Sequence, residues 1–167
     1  MNEGAPANAG PAAGTGRGMR IAVVASRFNE AISAALLDGA RNGLVAAGVD
    51  PTSITEAWVP GAFELALAAQ RLAASGSVDA VVCVGAVIKG DTDHDTYVAT
   101  QCAAGLLRVQ LDTGVPVAFG VLTTETVAQA EERAGGRHGN KGTEAAATAV
   151  EMADLLRRLP KPHTEGG

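Results

Sequence analysis

The stretch GAVIKGDTDHD, residues 85–95, gathers the groups of this chain best suited to chemistry. His94 carries the side chain best matched to proton transfer near neutral pH, and the pattern predicts it at the start of a helix. Gly85 and Gly90 permit close backbone approach, Thr92 offers a hydroxyl, and loop amides that precede a helix can hold an anion. A histidine at a helix start also serves as a solvated or capping residue; what distinguishes this one is a Gly-rich strand exit beside it. Asp91, Asp93 and Asp95 suggest a metal, but their spacing does not. An EF-hand loop opening at Asp91 needs Gly in the sixth place and Glu in the twelfth, where Thr96 and Cys102 stand. A zinc site has no second cluster either, because His138 and His163 fall in predicted loop and tail.

The chain holds three Phe, one Trp and one Tyr. Phe28, Phe63 and Phe119 lie at or near predicted strand ends. There they either plug the sheet or offer rings on which a flat heteroaromatic ligand stacks. Arg133, Arg137 and Lys141 gather in a Gly-rich loop, as a solvated surface or as partners for a phosphate or carboxylate. Other fingerprints fail. GTGRGM precedes the first strand, GGRHGNKGT lacks the Lys-Ser/Thr ending of a P-loop, and no G-x-S-x-G elbow occurs.

Regular alternation of strands and helices must position these groups. RIAVVAS (20–26), SITEAWV (53–59), DAVVCVGAVI (79–88) and VPVAFGVLTT (115–124) read as buried strands. Between them lie helical segments after Asn29 (a candidate N-cap), from Phe63, and from Thr96. A short helix around 126–134 and a last one from Thr143 to Leu159 follow. Such alternation predicts an α/β fold: a three-layer, flavodoxin-like sandwich with a central parallel sheet of about four strands. Ligands of such sheets sit beyond the carboxyl ends of the strands. Residues 1–18 read as a flexible leader, 19–159 as one domain and 160–167 as a tail.

The composition is 47% hydrophobic and 19% charged, with net charge −5, which suits a core-forming domain. No basic stripe fits a nucleic-acid backbone, no apolar run is long enough to span a membrane, and the N-terminus lacks a secretory pattern. Cys83 and Cys102 read as buried free thiols of a reducing compartment, so the cytoplasm is expected. Much of the apolar share is Ala, which buries little area at roughly 25 cal/mol per Å², and this favours self-association.

Five strings, SRFNE (26–30), WVPGAFEL (58–65), GAVIKGDTDH (85–94), PVAFGVLTTE (116–125) and ERAGGRHGNKG (132–142), occur in this order. Together they resemble the 6,7-dimethyl-8-ribityllumazine synthase family over about residues 20–158. The resemblance implies a transferase of riboflavin biosynthesis that uses no cofactor and no metal. It would join 5-amino-6-(D-ribitylamino)uracil to (3S)-3,4-dihydroxy-2-butanone 4-phosphate, releasing phosphate and water. Phe28 would stack on the uracil, while Ala62, Phe63 and Glu64 would line the pyrimidine and ribityl site, Glu64 accepting from ribityl hydroxyls. Ala86, Val87 and Ile88 would set strand-end backbone against the uracil edge. Asp91 and Thr92 occupy the stretch that holds the butanone phosphate, and His94 matches the proton-transfer residue. Phe119 and Arg133 would reach in from a neighbouring subunit, Arg133 onto the phosphate, and Lys141 matches a lysine of the site periphery.

One stretch departs from the family pattern. After His94 the aromatic is missing and the acid comes one place early, in Asp95. Asp91 and Asp93 add charge near a phosphate, where two unit charges about 5 Å apart repel by about 3 kcal/mol at an effective dielectric of 20. The carboxylates either face solvent or weaken phosphate affinity, and Asp95 could instead orient the imidazole. The resemblance further implies a homopentamer. The link 134–142 carries no insertion, which resembles members that close into an icosahedral shell. The alternative is a catalytically impaired paralogue that binds flavin or lumazine or forms shells; His94 and Arg133, which a binder would not need, favour the enzyme. A generic flavodoxin-like FMN binder lacks its Ser/Thr-rich phosphate loop here.

Overall fold

The computed structural model describes residues 10–164. Four strands, β1 (Ile21–Ser26), β2 (Ile54–Val59), β3 (Ala80–Ile88) and β4 (Val117–Thr124), form one parallel sheet in the order β2-β1-β3-β4. The α/β sandwich predicted from alternation is what forms. Helices α1 (Glu30–Ala46) and α5 (Lys141–Arg158) cover one face, with the short α4 (Val127–Arg133) beside them. Helices α2 (Leu65–Ala74) and α3 (His94–Thr113) cover the other.

Both faces are buried because the central strands are apolar at every position but Ser26, the last of β1. Ile21, Val23 and Ala25 of β1, with Val82 and Val84 of β3, face α1 and α5. Ala22 and Val24, with Val81 and Cys83, face α2 and α3. The period-two alternation of strand side chains thus divides one continuous apolar run between two cores.

The alanines have a specific use. Helix α5 buries Gly142, Ala145, Ala146, Ala149 and Ala153, and it meets α1 at Gly142 and Ala146. A Cβ on Gly142 would stand 2.0 Å from the Leu36 carbonyl oxygen, so the two backbones approach more closely than larger residues allow. Asn140 fixes that approach. Its Oδ1 accepts from the Gly142 and Thr143 amides at 2.8 and 3.2 Å, and its Nδ2 donates to the Ala35 carbonyl of α1 at 3.0 Å. The helix expected from Thr143 therefore begins at Lys141, two residues earlier, because Asn140 caps it.

Three further expectations change. Asn29 stands at the N-cap position of α1 but does not cap: its φ is +62°, and its side chain donates to the Ala86 carbonyl at 3.1 Å. The second helix opens with a 3₁₀ turn over Ala62–Glu64. The Gly-rich loop after α4 folds into a small antiparallel hairpin, β5 (Ala134–Gly136) and β6 (Gly139–Asn140).

Of the expected leader, residues 1–9 lie outside the described residues, whereas 10–18 are tied down. Gly16 is buried and its amide donates to the Ala47 carbonyl at 2.8 Å, holding a chain of turns against the end of α1. Residues 160–164 are exposed and have no regular structure, and 165–167 are not described.

Candidate functional site

The carboxyl ends of β1, β2 and β3 are knitted together by backbone and side-chain bonds. The Arg27 amide donates to the Val59 carbonyl at 2.8 Å and the Phe28 amide to the Pro60 carbonyl at 3.1 Å, joining the first two exits. Asn29 reaches across to Ala86 and joins the third. Above this floor lies a trough of about 690 Å³.

The trough brings together eleven of the residues singled out from sequence: Phe28, Ala62, Phe63, Glu64, Ala86, Val87, Ile88, Gly90, Thr92, His94 and Asp95. Phe28 is 73% exposed and Phe63 64% exposed, so neither ring plugs the sheet. Rings left in water at a strand exit suit a ligand that stacks on them. Gly85 has a different use from the one expected. A Cβ there would meet the buried Ser26 hydroxyl oxygen at 2.3 Å, so its missing side chain makes room for Ser26 rather than for a ligand.

His94 is the first residue of α3, exposed at the trough's edge, with its amide donating to Thr92 Oγ1 at 3.4 Å. Asp91 and Asp93 are exposed on the turn before it and do not line the trough. Asp95 does line it, yet makes no hydrogen bond to His94 among the described residues. Below α3, burial pushes the Cys83 thiol well above its ordinary range and that of Cys102 up to about 11. Both are packing residues at neutral pH.

Arg133 and Lys141 line a second, smaller cavity of about 350 Å³, with His138, Glu144 and Val121–Thr123 of β4. Arg133 donates to its own helix at the Gln129 carbonyl, 3.0 Å away, and has no acidic partner among the described residues. Lys141 pairs with Glu144 at 3.1 Å. Arg137 is drawn off by Glu132, at 2.8 Å, so the three cations that cluster in sequence do not act as one group.

Phe119 is not at the strand's carboxyl end. It is the third residue of β4, opposite Cys83, and lines neither cavity. It is 41% exposed, on the edge strand of the sheet.

The trough also takes Pro60, Gly61, Tyr97, Val98 and Gln101, to which sequence reading gave no role in binding. The helical spacing of 94, 97, 98 and 101 was the available signal, since residues three, four and seven apart share one face.

A model of the family described as 6,7-dimethyl-8-ribityllumazine synthase matches residues 18–157. Two relatives, from two strains of Thermus thermophilus and each described by that same name, are 51% identical over 147 residues. The matched region is 88% of this chain and 94% of each relative.

Proposed function

The chain belongs to the 6,7-dimethyl-8-ribityllumazine synthase family, and from that premise we propose how its trough performs the condensation. The protein is a transferase of riboflavin biosynthesis that joins ribitylaminouracil to butanone phosphate. The observation that carries our assignment of roles is the convergence of Phe28, Phe63, Glu64, Thr92 and His94 on one trough.

Phe28 stacks on the uracil ring, and the strand-end backbone at Ala86, Val87 and Ile88 meets the ring's polar edge. The turn Ala62–Glu64 holds the ribityl side, with Glu64 accepting from chain hydroxyls. Binding both reactants in register supplies much of the acceleration, since well-oriented reactants escape the entropy of a bimolecular encounter. The 5-amino group attacks the ketone carbon and one water leaves to give an imine; phosphate is eliminated from the terminal carbon to leave an enol, which tautomerises to a ketone; the ribityl-bearing nitrogen attacks that carbonyl, and a second water leaves as the ring closes. His94 moves protons between nitrogen and oxygen as these bonds form and break.

The phosphate needs cations, and no Lys or Arg lines the trough among the described residues. Thr92 and the turn amides beside Asp91 supply hydrogen bonds, while the exposed Asp91 and Asp93 point their charge toward solvent. The cations come from a neighbouring copy. Its Arg133 binds the phosphate, Phe119 closes over the ring, and Lys141 stands at the periphery. The protein acts as a homo-oligomer, and the unit we infer is a cyclic pentamer, in which each interface is heterologous and closes by rotation. The compact hairpin at 134–140, with no insertion, supports further closure of pentamers into an icosahedral shell.

No helix among the described residues is long and apolar enough to cross a membrane. Two buried free thiols suit the cytoplasm, where we place the protein. Mixing the purified protein with both substrates and following lumazine absorbance tests the reading. A rate no greater than that of the substrates alone would overturn it.

A further inference from the structure

Tyr97 and Gln101 line the trough but have no part in the roles above. They stand on α3 one turn apart, on the face that also carries His94. Tyr97 is the only tyrosine of the chain and is 71% exposed. Neither its phenol nor the Gln101 carboxamide has a hydrogen-bond partner among the described residues. The fold makes no visible use of either polar group.

The ligand gives them one. Helix α3 packs directly on the turn Ala62–Glu64, so this wall adjoins the place where the ribityl chain is held. Each hydroxyl of that chain both donates a proton and accepts one, while an ionised carboxylate only accepts. Glu64 and Asp95 therefore satisfy only half of what a polyol presents. Thr92 and His94 are occupied with phosphate and proton transfer. The side-chain donors left among the lining residues are the Tyr97 phenol and the Gln101 amide nitrogen.

We propose that Tyr97 and Gln101 are specificity-determining residues: together they form a donor wall that, opposite the acceptor Glu64, reads the hydroxyls of the ribityl chain. The proposal rests on the substrate assignment above. A site built to hydrogen-bond a substrate hydroxyl rejects the analogue that lacks it, because groups in the closed site lose their partners.

The test compares 5-amino-6-(D-ribitylamino)uracil with 5-amino-6-(pentylamino)uracil, which keeps the reacting amines and chain length without hydroxyls. Wild type, Tyr97→Phe and Gln101→Leu are each assayed with both at saturating butanone phosphate. The readout is the ratio of the two kcat/KM values within one preparation, so the fraction of folded protein cancels. Each substitution is expected to narrow that ratio by about 3- to 10-fold, the effect of one hydrogen bond. Both should raise KM for the ribityl substrate more than KM for the butanone phosphate. A ratio within twofold of wild type in both variants would overturn the donor wall while leaving the substrate assignment standing. A wild-type protein that makes no lumazine would overturn the assignment itself.

Discussion

Replacing Arg133 with alanine separates a site shared between subunits from one contained in a single chain. In the structure the guanidinium touches only the Gln129 carbonyl of its own helix, and it has no acidic partner among the described residues. Its removal therefore leaves no buried charge behind and should lower stability little. If it binds the phosphate, the lost contact is a charge-assisted one of about 1.5–3 kcal/mol. That corresponds to an increase in KM for the butanone phosphate of about 10- to 150-fold. KM for the uracil, stacked on Phe28 in the trough, should change far less. Arg133→Lys keeps the charge but loses the fork, and should fall between. Complementation then locates the partner. Arg133→Ala and His94→Ala chains are unfolded together, mixed in equal amounts and reassembled. In a ring where each trough takes its arginine from the next copy, about a quarter of the sites regain both residues. In a single-chain site none would. Activity of the mixture no higher than the mean of the two variants would refute the shared site, and equal rises in both KM values would make Arg133 a structural residue instead.

His94→Ala is expected to slow turnover by about 10- to 10⁴-fold, the contribution of a general acid–base, while equilibrium binding of the uracil substrate persists; unchanged turnover would remove His94 from the mechanism. Asn140→Ala removes the α5 cap and the bond to Ala35, and should cost about 2–3 kcal/mol in urea unfolding at fixed protein concentration, whereas a loss below about 0.5 would mean the cap is redundant. Both cysteines should resist iodoacetamide in the native protein at pH 8 and react after unfolding, as mass spectrometry reads; burial keeps the Cys102 thiol protonated up to about 11 and Cys83 higher still. Analytical ultracentrifugation should show a particle far larger than a pentamer, and only a pentamer across pH and phosphate conditions would rule out the shell.

The strands were legible because a continuous apolar run bounded by Gly, Pro and Asn has few other uses, and the alternation with helices then dictated a parallel sheet. The trough followed from the same rule, since residues at three successive strand exits must come together. What escaped depends on contacts distant in sequence. Asn29 and Asn140 look alike as helix starters, but Asn140 finds Ala35 of α1 beside it and caps, whereas Asn29 finds the Ala86 carbonyl and does not. Phe119 could not be placed without knowing that β4 is an edge strand beginning at Val117. Arg137 joined the cationic cluster in sequence because Glu132, five residues back, gave no sign of turning toward it; the hairpin brings the two together. Tyr97 and Gln101 were hidden for another reason. Their helical spacing was plain, but which face of α3 meets the trough is set by how α3 packs on β3 and on the Ala62–Glu64 turn, and the weak amphipathicity of this helix does not announce it. Leu106 and Val109 of α3 face the core while Leu107 and Leu111 lie exposed, so a helix with leucines on two faces can be seated in more than one way, and its outward face is decided by the neighbours it meets.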